Sequence, residues 1–83
     1  LYIMLPTPEN IRQYISENLV CQHVNVTGDG AHFEAIIVSE AFDGLRPIAR
    51  HQLVYKALGE RMKEEIHALS MRTLTPKEFE AAQ

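Results

Sequence analysis

Ile11, Ile15 and Leu19 recur every four residues and mark one buried stripe on a helix of about three turns. Thr7 is placed to cap that helix, Pro8 takes its first position and Glu9 stands in its first turn. From Gln22 to Thr27 the period changes to two, with Val24 and Val26 pointing the same way, as in a strand with one covered face. Gly28-Asp29-Gly30 then separates this run from a second one, His32 to Ser39, so a hairpin is predicted. Ile36-Ile37-Val38 leaves the second strand apolar on both faces, which suits the centre of a sheet.

Phe42-Asp43-Gly44 ends that strand, and a loop runs on to Arg46. Pro47 is suited to open a long helix that the pattern carries to about Glu65. Ile48, Tyr55, Leu58 and Met62 fall near one face of it, widened by Leu53 and Val54. Ala68 to Leu74 reads as a third strand. Thr75-Pro76-Lys77-Glu78 has the form of a capping box and opens a short last helix. The order α-β-β-α-β-α predicts an α+β domain. A hairpin makes the first two strands antiparallel, and a helical crossover makes the second and third parallel. The expected packing is a three-stranded mixed sheet with helices on one face, its core built on Ile11, Ile15, Leu19, Val24, Val26, Ile37, Leu58, Met62 and Leu69.

With 83 residues, residues 1–83 form a single domain, with residues 1–6 read as a flexible N-terminal segment. An apolar content of 46% is ordinary for a globular chain. No apolar run is long enough to span a bilayer, and Leu1 to Pro6 lacks the basic region of a signal peptide; Met4 could be the natural start. A lone cysteine, Cys21, suits a reducing, cytoplasmic setting.

A net charge of −3 argues against tight nucleic-acid binding, yet five of the eight Lys and Arg residues (Arg46, Arg50, Lys56, Arg61, Lys63) lie on or beside the long helix. Over a Debye length of ~8 Å such a patch can attract phosphates on an acidic protein. Acids at Glu60, Glu64 and Glu65 also fit a plain solvated face. Gly28-Asp29-Gly30 lies between strands and precedes no helix, so it is a turn rather than a phosphate loop. Ser39, Ser70 and Cys21 have no partners at nucleophile spacing, and an enzyme is not expected.

Imidazole both ligates metals and titrates near neutrality, which draws attention to His32 and His67. His67 stands where the long helix gives way to the third strand. It fits either a surface-held ligand or a partly buried cap on the helix end. His32 opens the second strand, as a ligand or as an exposed strand-start residue. Cys21 reads as a small buried hydrophobe, His23 as solvent-facing, and His51 as a helix residue with no histidine partner at i+4.

Thr27-Gly28-Asp29-Gly30-Ala31-His32-Phe33, Phe42-x-Gly44, Val54-Tyr55-x-x-Leu58, Ile66-His67-Ala68 and Thr75-Pro76-x-Glu78 closely resemble the BolA family, and within it the short BolA/IbaG-like bacterial members. The likeness runs from Ile11 to Phe79. It implies the same α-β-β-α-β-α arrangement, similar to that of type II KH domains, although the Gly-x-x-Gly clamp of KH domains is missing here. It also implies that His67, in Ile66-His67-Ala68, ligates a [2Fe–2S] cluster shared with a monothiol glutaredoxin and glutathione; no cofactor is expected in the isolated chain. Family members supply a second ligand, cysteine or histidine, from the loop between the first two strands. This loop is shorter than in many relatives and has no cysteine, which leaves His32. The resemblance further implies DNA as an alternative partner for Arg46, Arg50, Lys56, Arg61 and Lys63. No membrane partner is expected, and a weak homodimer is left open.

Overall fold

A computed structural model describes residues 6–64, 66 and 68–83. The elements follow in the order α1 (Pro8–Asn18), β1 (His23–Gly28), β2 (His32–Val38), α2 (Pro47–Leu58), α3 (Arg61–Glu64), β3 (Ala68–Leu74) and α4 (Pro76–Ala81), with one 3-10 turn at Glu40–Phe42. Each long boundary has a local cause. Thr7 Oγ1 accepts from the Asn10 N–H while the Asn10 side chain accepts from the Thr7 N–H, so α1 starts on a capping box. Thr75 and Glu78 make the same reciprocal pair at the start of α4.

The sheet has the order β1-β2-β3. β1 and β2 are antiparallel with Val26 opposite Ala35, and β2 and β3 are parallel with Ala35 opposite Met71. The expected mixed α+β topology is therefore the one adopted. Phe33, Ala35 and Ile37 of β2 point toward α1 and α2 and are buried with Ile11, Ile15, Val26, Val54 and Leu58 in one cluster. Burying a large aliphatic side chain such as Ile11 or Ile15, both at 0% exposure, is worth roughly 1.5–3 kcal/mol. Leu19, Val24, Met62 and Leu69 are only partly buried and pack at the rim of this cluster. Phe42, which the pattern had put in a loop, is fully buried in the 3-10 turn.

The crossover departs from one long helix. α2 stops at Leu58 because Gly59 follows with φ +60°, a left-handed conformation that favours glycine, and its N–H closes on the Tyr55 carbonyl. The chain then restarts as the short α3. The buried face differs as well. Ile48 is 72% exposed and Tyr55 41%, so neither belongs to the core stripe. Leu53, Val54, Ala57 and Leu58 face inward instead, and Arg50 one turn earlier continues their line. A residue charged on sequence thus occupies a position on the inner face, which displaced the expected stripe. No helix among the described residues is long and apolar enough to cross a membrane.

Candidate functional site

The β1–β2 turn is built around three residues. Gly28 lies opposite Phe33 in the ladder, where a Cβ would meet the His32 carbonyl oxygen at 2.3 Å and the Phe33 ring at 2.6 Å. Only glycine fits that close approach. Asp29 Oδ1 accepts from the N–H groups of Ala31 (3.0 Å) and His32 (2.9 Å), and the Asp29 N–H donates to the His32 carbonyl at 3.2 Å. These bonds form an Asx-type turn. The His32 N–H, then that of Ala31, holds the Asp29 carboxyl below the usual carboxylate range.

His32 leaves this turn as the first residue of β2, with its side chain exposed. Strand alternation puts it with Glu34, Ile36 and Val38 on the face away from Phe33, Ala35 and Ile37. Ladder partners extend that face to Asn25 and Thr27 of β1 and to Ser70 and Arg72 of β3. The partner of His32 in β3 is Ala68, whose side chain is a single methyl group. His67 and Glu65 lie outside the described residues; the known geometry at this end of the sheet is that of His32 and Ala68. At the other end of the same face, His23 is exposed as expected and stacks on Phe79 of α4, ring centres 5.1 Å apart.

Cys21 is half-buried and donates its thiol to the Leu19 carbonyl at 3.3 Å, and burial pushes that thiol up. Neutral and turned to the backbone, it is poorly prepared to act as a thiolate ligand. Among the described residues no three His, Cys, Asp or Glu side chains gather into a metal site. The described part of the chain can therefore supply individual donors and not a full ligand set.

Among the described basic residues, not all face solvent. Arg46 is exposed at the start of α2, and Lys56 is exposed near its end. Arg50 turns inward: its side chain is 12% exposed, Nε donates to the Leu45 carbonyl at 2.8 Å and Nη1 to the Thr73 carbonyl at 3.2 Å. The same guanidinium grips Glu78 of α4 at 2.7 and 3.3 Å and brings that carboxyl down to about 2. Arg61 lies over the Tyr14 ring, 3.8 Å from its centre. The Lys63 side chain is outside the description. Arg50 was singled out as a phosphate contact and is instead a brace between α2, β3 and α4. Its partner is far along the chain, so no sequence signal revealed it. Asp29 was read in the sequence as part of the Gly28-Asp29-Gly30 turn, which the structure bears out; its bonds to the Ala31 and His32 N–H groups add how the turn is held.

These features define a small α+β domain that presents nitrogen donors and charge at its surface. The chain belongs to the BolA family: the family model, described as BolA-like protein, matches residues 15–78. It is 40% identical over 70 residues to the acid stress protein IbaG of Escherichia coli, a match covering 83% of each chain. It is 45% identical over 53 residues to the DNA-binding transcriptional regulator BolA of Vibrio cholerae, covering 64% of this chain and half the length of that relative. The solved structure of a BolA protein homologue from Coxiella burnetii superposes with a TM-score of 0.84 at 45% identity, over 90% of this chain and 97% of the other.

Proposed function

We propose that this chain is an accessory protein of iron–sulfur metabolism. It binds a monothiol glutaredoxin and shares a [2Fe–2S] cluster with it through histidine, acting in cluster transfer or sensing rather than catalysis. The observation that carries the reading is His32: an exposed imidazole on a backbone fixed by Asp29, at the end of the sheet where β2 pairs with Ala68. The donor set fits a shared group. This chain offers imidazole, its one thiol is engaged with a carbonyl, and the remaining thiolates come from the partner and glutathione. His67 is the first ligand on the strength of the family likeness, and His32 is the second. Histidine in place of thiolate raises a cluster's reduction potential, which suits release or sensing. The cellular setting is the cytoplasm.

The test is anaerobic reconstitution of the chain with and without a monothiol glutaredoxin and glutathione. A new visible absorption and circular-dichroism signature in the mixture, with a complex on gel filtration, is expected. Unchanged spectra and separate elution defeat the reading.

A second reading has its own support. Relatives carry the name DNA-binding transcriptional regulator, and α2 contains no acidic residue while Arg46 and Lys56 stand exposed on it. Each phosphate contact adds about −0.9 to the slope of log affinity against log salt. With Arg50 committed to Glu78, the expected slope is shallow. A steep slope that R46A and K56A each reduce would favour this role.

A further inference from the structure

The turn before His32 is fixed more tightly than a hairpin connection requires. Asp29 binds both peptide groups of His32: its carboxylate takes the N–H at 2.9 Å, and its own N–H reaches the carbonyl at 3.2 Å. Ala31, the residue between, is held by the same oxygen at 3.0 Å. On one side Gly28 closes to contact distance with the His32 carbonyl, and on the other Phe33 is fully buried. With its two peptide groups and both flanks fixed, the Cα–Cβ bond of His32 has one direction, while the imidazole beyond it stays exposed. A clamped backbone beneath an exposed donor lowers the cost of ligation, because the backbone share of the ordering is complete before the metal arrives.

We propose that Asp29 is a positioning residue for His32: it fixes the point and direction from which the side chain leaves the backbone at the start of β2, so that only the side-chain rotors remain to be ordered when the partner arrives. The inference rests on the reading given under Proposed function and deepens it. Asp29 touches no metal; it acts through the His32 backbone. The carboxylate acts here as a hydrogen-bond acceptor, so its charge is dispensable. Asparagine at this position retains an oxygen that can accept the same two N–H groups, whereas alanine has none.

The full chain is used for the test. In the free protein, amide order parameters at Ala31 and His32 are measured for wild type, D29N and D29A. Each form, together with H32A, is then reconstituted anaerobically with a monothiol glutaredoxin, iron, sulfide and glutathione. Visible circular dichroism and the rate of cluster loss to an iron chelator are recorded. Wild type and D29N are expected to keep order parameters near roughly 0.85 and to share one cluster spectrum, while D29A falls toward roughly 0.6. The D29A spectrum should move toward that of H32A, with cluster lost about 10-fold faster, the lower end for loss of a supporting group. A D29A mixture with the wild-type spectrum overturns the proposal even if the variant melts earlier, since the turn is then structural only. A wild-type spectrum in H32A also overturns it, leaving no ligand to aim, while a cluster held through His67 still stands. Failure of the functional reading itself looks different: the wild-type mixture forms neither cluster nor complex, and the proposal falls with it.

Discussion

Replacing Arg50 with methionine keeps an aliphatic stem on the inner face of α2 and removes the guanidinium. Lost with it are the bonds to Leu45 O (2.8 Å) and Thr73 O (3.2 Å) and the grip on Glu78. A hydrogen bond from a charged donor contributes up to about 1.5–3 kcal/mol, and water reaching the freed carbonyls returns part of that. Taking roughly 1–1.5 kcal/mol for each carbonyl gives about 2–3 kcal/mol. The pair with Glu78 is exposed to solvent screening and is left out of this sum. For a domain of this size each kcal/mol moves the melting temperature by roughly 4–8 °C, so R50M should melt about 10–20 °C lower by far-UV circular dichroism at pH 7. Acid provides a second readout. Folded Glu78 sits at about 2, chiefly through Arg50, against 4.5 ordinarily, so the unfolded chain takes up the proton first. The stabilisation is complete above about 4.5 and drains away as pH falls from there through about 2. Wild type should lose melting temperature over that window and R50M should lose less. A drop below about 3 °C at pH 7, or identical acid slopes in the two proteins, would refute the brace.

Gly28→Ala forces a methyl group into the His32 carbonyl and the Phe33 ring, and should cost about 1–3 kcal/mol in urea unfolding; a neutral result would mean the turn can open without penalty. Ile48→Lys should change stability by less than about 0.5 kcal/mol, because the side chain is already in water. Val54→Ala, on the opposite face of the same helix, should cost roughly 1–3 kcal/mol, and the reverse ranking would show α2 to be rotated. In the mixture with glutaredoxin, His67→Ala should leave the fold intact and weaken the cluster, His32→Ala should do the same or less, and Cys21→Ser should do little. Normal cluster spectra in the His67 variant would end the assignment.

Topology was legible because three local signals agreed: the four-residue spacing of Ile11, Ile15 and Leu19, the glycine turn between two strand-like runs, and the capping box at Thr75. Each is a short-range pattern with a physical cause inside a few residues. The middle of the crossover was misread for the same reason. Apolar spacing cannot tell that Gly59 adopts φ +60° and ends α2, nor that Arg50 lies inward and leaves Ile48 and Tyr55 outside. Arg50 illustrates the limit, since its partners Thr73 and Glu78 come from elements that fold back from far along the chain. At the candidate site, His32 was visible as a residue type at a strand start. The bonds that tie its backbone to Asp29 are seen only in the structure, although the turn itself was readable from Gly28-Asp29-Gly30.

The parallel pairing of β2 with β3 also shapes how the chain reaches its native state. β1 and β2 are joined by a turn and can zip together early. β3 must wait until α2 and α3, which lie wholly between its residues and their partners in β2, have been laid down and drawn in. Closing that long loop is entropically expensive before any contact repays it, so β3 docking should be the slow step, and its amides should gain exchange protection last in pulse-labelled refolding. Until then β2 carries a bare edge along the strand that begins at His32. Ala68, and the ladder position beside His32, exist only once that step is finished. Assembly of the histidine-bearing end is thus a late event in folding. Damage to the distant crossover helix would reach it through timing as well as through contact.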